Sequence, residues 1–197
     1  MKENFRSFCE SIISFNDEEW QAMEKCLSIK RLRKNEHFLL EGEVCYRMGF
    51  VTEGFTRLYF LVDGEEVTKD FCFENNFTGS VASFQTQRPA QFNVVAMEDT
   101  TLITFGFSPL QSLVEKYHCW SNFIRIVLGY FAIRKENREI SFLLNSAEQR
   151  YMGLVADNPQ ILQRVALKYI ASYLGLSPET VSRIRNKTAH QFHAKLI

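Results

Sequence analysis

The twenty residues Leu167 to Asn186, LKYIASYLGLSPETVSRIRN, constrain the fold of this chain more than any other stretch, because they dictate two helices and the turn between them. In the first helix, Leu167 to Leu174, Ile170 and Leu174 stand one turn apart, and Ala171 puts a small side chain where a second helix crosses closely. Gly175 ends it, since glycine takes the left-handed conformation found just past a helix C-terminus. Ser177 then serves as N-cap and Pro178 as first-turn proline of a second helix. Val181 and Ile184 face back onto the first helix, leaving Glu179, Thr180, Ser182, Arg183, Arg185 and Lys187 outward. Arginine can pair with guanine O6 and N7, glutamate can accept from cytosine N4, and Ser, Thr and Lys suit phosphate oxygens. The spacing therefore predicts a helix-turn-helix with Ser177, Pro178, Glu179, Thr180, Ser182, Arg183, Arg185 and Lys187 as candidate DNA contacts.

Charge separates this reading from that of an ordinary helical pair. The chain is neutral, with 23 basic and 23 acidic residues. From Arg164 onward, however, six basic residues (Arg164, Lys168, Arg183, Arg185, Lys187, Lys195) oppose the single acid Glu179. Clustered cations at one end suit phosphate contact, because counterion release rewards local rather than global charge.

A length of 197 residues suits two small domains, and 46% hydrophobic with 14% aromatic content is enough for real cores. No run approaches the roughly 18 apolar residues of a membrane span. The start, MKENFRSFCESII, is interrupted by Glu and Arg where a signal core would lie. A cytoplasmic protein without a membrane partner is expected. Cys9, Cys26, Cys45, Cys72 and Cys119 are odd in number and contain no CxxC pair, which argues against a disulfide framework or a zinc site. His37, His118, His190 and His193 are scattered singly, although the last two could share a helix face. With no metal-ligand set and no nucleophile and base pair in the pattern, neither an enzyme nor a cofactor is expected.

From roughly Ser28 to Phe107 short apolar runs alternate with turn signals, which reads as a sandwich or jelly-roll barrel. Asp63-Gly64 is a two-residue hairpin turn between LYFLV and EEVTKDFCF. Glu41-Gly42-Glu43, Glu53-Gly54 and Asn75-Asn76 mark further turns, and NVVAMEDTTLITF reads as two strands meeting at Glu98-Asp99. Ahead of this region, Asn16 caps a helix over DEEWQAMEKCL, after a helix near Phe5 to Phe15. Beyond it, a helix over Pro109 to Tyr117 follows a Ser108 cap, and a long one runs from about Trp120 to Leu144.

The long helix carries a heptad. Phe123, Ile126, Tyr130, Ile133, Asn137, Ile140 and Leu144 alternate spacings of three and four, the seam of a coiled coil, so a homodimer is expected. Asn137 in that seam would fix a parallel two-stranded register. A helix buried in its own core shows the same stripe, and Val127 and Phe131 add a second apolar flank. Ser146 and Gln149 form a capping box for the next helix, which makes Asn145-Ser146 a hinge candidate, and Asn158-Pro159 closes that helix.

In this order of parts, and above all in ASYLGLSPETVSRIR and SAEQRY, the chain resembles the Crp/Fnr superfamily of bacterial transcription regulators over nearly its whole length. The resemblance implies an α+β protein divided into a jelly-roll sensor barrel with leading helices at 1–118, a dimerisation helix and hinge at 119–145, and an all-α helix-turn-helix domain at 146–197. It implies base-reading roles for Glu179 and Arg183, with Ser177, Thr180 and Ser182 near the backbone or neighbouring bases. Pro178 stands where family members often carry a guanine-reading Arg, so the preferred DNA sequence is the chain's own. The family's β wing is not expected after the recognition helix, where the sequence reads KTAHQFHAKLI.

In cyclic-nucleotide-binding relatives a Gly-Glu pair holds the ribose and an Arg-Ser pair holds the phosphate. Here Gly79 is followed by Ser80, and the phosphate position falls on Ala90-Gln91, so neither group is present to do its work. The expected effector pocket is lined by Phe77, Gly79, Ser80, Phe84, Arg88, Ala90, Gln91, Phe92 and Arg134, with a small-molecule effector other than cyclic AMP. The expected partners are a palindromic double-stranded DNA operator, a second copy of the chain and RNA polymerase. Two alternatives stay open: a regulator responding to a cyclic nucleotide through an altered pocket, and a dimeric partner-binding protein whose DNA module is degenerate.

Overall fold

The computed structural model describes residues 2–194, with side chains described through Thr188. Two helices lead the chain, α1 (Lys2–Glu10) and α2 (Asp17–Cys26). A reciprocal capping box starts α2: the Asn16 side chain accepts the Glu19 N–H at 2.9 Å, and the Glu19 carboxylate accepts the Asn16 N–H at 2.8 Å. The first helix ends earlier than the apolar spacing predicts, because the Ile12 and Ile13 N–H groups both turn onto the Cys9 carbonyl at 3.0 Å.

Eight strands follow: β1 (Leu27–Leu32), β2 (His37–Leu39), β3 (Arg47–Glu53), β4 (Thr56–Val62), β5 (Glu65–Cys72), β6 (Phe77–Thr78), β7 (Asn93–Ala96) and β8 (Thr100–Gly106). They form two four-stranded sheets, in the orders β1-β8-β3-β6 and β2-β7-β4-β5. Neighbours such as β1 and β8, β3 and β8, and β4 and β7 run antiparallel. Asp63 (φ 52°) and Gly64 (φ 84°) both adopt positive φ, as the type I′ turn between β4 and β5 requires. The strands of NVVAMEDTTLITF do meet at Glu98-Asp99, but β7 and β8 belong to opposite sheets, so this turn is a corner rather than a hairpin.

Strand alternation sorts the faces of β3. The Gly49 face looks across to the other sheet, where a Cβ would sit 3.5 Å from the Phe38 ring, as well as 3.1 Å from Leu102. On the opposite face Phe50 packs 4.9 Å from Phe5, 4.8 Å from Phe8 and 5.2 Å from Phe77. This aromatic layer, extended by Trp20, Trp120 and Phe15, fastens the leading helices to the barrel.

A helix that strand alternation did not announce, α3 (Val81–Thr86), lies between β6 and β7. After β8 come α4 (Phe107–Lys116), α5 (His118–Leu144), α6 (Ala147–Asp157), α7 (Ile161–Arg164), α8 (Leu167–Leu174) and α9 (Pro178–Ala194). The expected Ser108 cap is corrected: α4 already begins at Phe107, with Gly106 as a cap that supplies no side-chain bond. Ser146 and Gln149 do form a capping box at the start of α6, at 2.8 and 3.2 Å.

The fold is α+β, and the chain divides into two compact units. One takes the chain up to Glu65 together with Lys69–Tyr130; the other takes Glu66–Thr68 and the chain from Phe131. Among the described residues no helix is long and apolar enough to cross a membrane, and no group of three His, Cys, Asp or Glu is placed to hold a metal ion.

Candidate functional site

Local chemistry builds the turn between α8 and α9. Gly175 caps α8 at φ 65°, the left-handed region, and the Leu176 N–H reaches back to the Ala171 carbonyl at 2.9 Å. That bond, with the Gly175 N–H bonding one residue further on to Ser172 at 3.2 Å, is a Schellman closure. Ser177 then accepts the Thr180 N–H at 3.2 Å as N-cap of α9. Ile170, Ala171 and Leu174 of α8 and Val181 of α9 are buried, and Thr188 is buried two turns further along.

The other side of α9 faces solvent. Glu179, Arg183, Arg185, Asn186 and Lys187 are exposed, while Thr180 and Ser182 are half-buried. Arg183 holds the Thr180 hydroxyl at 3.3 Å. The Glu179 carboxyl lies below the usual carboxylate range because its own backbone N–H and the Ser177 hydroxyl bond it, with Arg183 adding attraction. Arg185 sits on a flank of α9 where its charge is felt by the buried Tyr151 of α6, whose phenol burial pushes up. Lys187 reaches Glu148 at 2.8 Å in an exposed ion pair.

Positions 179, 182, 183 and 186 recur at helical spacing, so Asn186 shares the face of Glu179 and Arg183. The candidate contacts drawn from the sequence omit it, although an asparagine can pair with adenine N6 and N7. Spacing alone would have included it. His190 and His193 lie outside the described side chains, and Lys195 lies outside the described residues.

The C-terminal end of α5 is tied to this module by ring and cation contacts. The Arg138 guanidinium stacks 3.8 Å over the Tyr173 ring and 5.0 Å over Phe142, and it donates to the Tyr173 carbonyl at 3.1 Å. Arg150 covers Phe142 at 5.2 Å and donates to the Asn145 carbonyl at 3.0 Å. The Phe142 ring also lies under the turn, where a Cβ on Gly175 would be 3.2 Å away. The hinge candidate Asn145-Ser146 is thus flanked by a brace whose contacts to Tyr173 and Gly175 join residues too far apart in sequence for any periodicity to pair. Phe142→Ala is expected to loosen α8 and the Gly175 turn by about 1–2 kcal/mol. Faster amide exchange there, with β3 and β8 unaltered, is the expected signature; unchanged exchange at Gly175 would contradict the brace.

The heptad positions of α5 divide in two. Tyr130 (62% exposed), Ile133 (57%), Ile140 (45%) and Leu144 (77%) are large apolar side chains left in solvent, with Asn137 exposed among them and Ile126 half-buried. Phe123 is the correction. It is buried in its own chain, 6.4 Å from both Phe8 and Phe77 and 5.8 Å from Trp120, so it fills the barrel's aromatic layer rather than a seam.

Comparison with known proteins places the barrel: residues 29–117 match the cyclic nucleotide-binding domain family. No curated protein matches the chain by sequence. Among solved structures, FixK2 from Bradyrhizobium japonicum is 18% identical at a TM-score of 0.73, over 84% of this chain and 85% of that one. The c-di-GMP-responsive global regulator CLP of Xanthomonas campestris is 14% identical at a TM-score of 0.70, over 89% and 93%. A protein of the crp/fnr family from Eubacterium rectale is 15% identical at 0.68, over 90% and 85%. The chain has the Crp/Fnr fold.

Within that fold the expected effector residues are mostly packed. Phe77, Gly79, Ser80, Phe84, Ala90 and Phe92 are buried, whereas Arg88, Gln91 and Arg134 are exposed. Phe77 joins the aromatic layer, and Phe84 meets Phe105 and Phe107 edge-on at 6.2 and 5.4 Å. Gly79 is held at φ 126° against Met48, whose sulfur would lie 2.8 Å from a Cβ. Ser80 is committed to capping α3 through the Ser83 N–H at 3.3 Å. The Ala90 N–H and carbonyl pair with Glu43 and Gly42 at 2.8 and 2.9 Å. Phe92 lies under the Lys69 ammonium at 4.9 Å.

Cys9, Cys26, Cys45 and Cys119 all titrate above the ordinary thiol value, chiefly through burial, with Cys119 at about 11.

Proposed function

We propose that this chain is a sequence-specific DNA-binding transcription regulator that acts as a homodimer, with the barrel as its effector-sensing domain. The observation that carries the reading is the outer face of α9. Glu179, Arg183 and Asn186 stand on one exposed stripe, while Val181 and the Gly175 turn hold the helix against α8. Such a helix enters a major groove, with arginine reading base edges and Ser177, Thr180, Ser182, Arg185 and Lys187 toward the sugar-phosphate backbone. The exposed apolar positions Tyr130, Ile133, Ile140 and Leu144 supply the surface for a second copy, and Asn137 sets its register. Two recognition helices related by two-fold symmetry read half-sites about 34 Å apart on one side of the duplex.

Salt tests the reading directly. Duplex affinity is expected to fall linearly in log–log form as salt rises, with a slope set by the phosphates neutralised. An affinity indifferent to salt would favour the protein-partner alternative instead.

The barrel is proposed to sense something other than cyclic AMP. At the positions where relatives hold the ribose and phosphate, Ser80 caps α3 and Ala90 is buried in backbone pairing, so no carboxylate or guanidinium is offered there. Cyclic AMP at saturating concentration is therefore expected to leave operator affinity unchanged. A shift of about tenfold or more, the size of an ordinary allosteric coupling, would instead support the cyclic-nucleotide alternative.

A further inference from the structure

A cavity of about 470 Å³ opens between the edges of the two sheets, where β1 and β2 face one another. It contains none of the residues expected to line the effector pocket. Its apolar wall is Phe38, Leu39, Val44 and Tyr46, and its charged groups are the basic Lys30 and Arg47 and the acidic Glu43. The volume falls within the range of small-molecule sites, which are largely apolar with a few placed polar groups.

Arg47 gives the cavity its chemistry. It shares a face of β3 with Gly49, the face that looks across to Phe38, so its side chain enters the space between the sheets. There its Nε donates to the Thr104 hydroxyl at 3.0 Å and one terminal nitrogen donates to the Thr104 carbonyl at 2.9 Å. Both partners are neutral. Among the described residues no carboxylate lies within ion-pair distance of Arg47, and the guanidinium is half-buried. The Glu43 carboxylate, which also lines the cavity, accepts the Leu40 N–H at 3.1 Å and makes no ion pair with Arg47, and Lys30 is only loosely engaged by Glu36 at 3.7 Å. A guanidinium fixed by neutral partners in a partly desolvated cleft, in no ion pair with a carboxylate, is an anion site.

We propose that this cleft binds an anionic small molecule with an apolar body, a carboxylate or sulfonate seated on Arg47 with its rings or branches against Phe38, Val44 and Tyr46. The wall that would close on it is connected to α3. The Cys45 N–H donates to the Ser83 hydroxyl at 2.9 Å, the Ser80 N–H meets the Cys45 sulfur at 3.4 Å, and Val44 bridges to Pro89. Occupancy is thereby transmitted to the segment that holds the ligand in cyclic-nucleotide-binding relatives.

The test uses the full chain without DNA, so its outcome is independent of the DNA-binding reading. Titration with 2-naphthoate is expected to saturate and to slow amide exchange at residues 43–47. Uncharged 2-naphthylmethanol, and the variant Arg47→Met, should each bind about tenfold more weakly or worse, the worth of a charge-assisted bond. Ser28→Trp, on the exposed rim of β1, leaves both Arg47 bonds in place and should abolish binding by filling the mouth. The proposal is overturned by an absence of saturable binding, by equal binding of the alcohol, by binding that survives Ser28→Trp, or by protection confined to Tyr130–Leu144.

Discussion

Replacing Ile133 and Ile140 together by glutamate is expected to convert the protein from dimer to monomer and to lower its affinity for a two-half-site duplex by about 100-fold or more. Ile133 is 57% exposed and Ile140 is 45% exposed in the single chain, so the charges cost the isolated fold little. In a two-stranded seam the same four carboxylates would face one another without partners, and burying an unpaired charge costs several kcal/mol. Loss of the second half-site then removes the gain in effective concentration that joins two weak contacts into one strong one. Sedimentation should show one chain per particle while circular dichroism stays that of the parent. A variant that remains dimeric, or that binds DNA as the parent does, would remove the α5 seam from the mechanism.

Arg183→Ala and Lys187→Ala are expected to weaken DNA binding in different ways. Arg183 stands with Glu179 and Asn186 on the exposed stripe of α9, anchored by Thr180 at 3.3 Å, which suits it to a base edge. Its loss should cost about 1–3 kcal/mol and relax preference at one position of each half-site. Lys187, one turn beyond Arg183 and held 2.8 Å from Glu148, suits a phosphate. Its removal should weaken all sequences alike and flatten the salt slope by about one per half-site. Competition assays with single-base operator variants separate the two. Identical behaviour of the variants would mean that the division into reading and holding residues is wrong.

What the sequence disclosed follows from how local each signal is. The α8 to α9 turn is legible because Gly175 and Ser177 act on bonds within a few residues, and Asn16 and Ser146 announce their helices in the same way. The Asp63-Gly64 hairpin is legible for the same reason. The heptad gives the stripe of α5 but not its partner, since Phe123 finds its neighbours on α1 and β6 by tertiary contact that periodicity does not encode. The brace of Arg138, Phe142, Tyr173 and Arg150 joins three helices. The Arg47 cleft exists only because two strand edges come together. The aromatic residues Phe77 and Phe84 read equally as pocket or core, and packing against Phe105, Phe107 and Phe123 makes them core.

Selection of bound duplexes from a random-sequence pool tests the dimeric reader most directly. A homodimer presenting two copies of α9 should return a roughly palindromic motif whose half-sites are centred about one helical turn apart, on the order of 34 Å. Its information should collapse at one position per half-site when Arg183→Ala is used. Recovery of no motif, or of a motif without half-site symmetry, would contradict it.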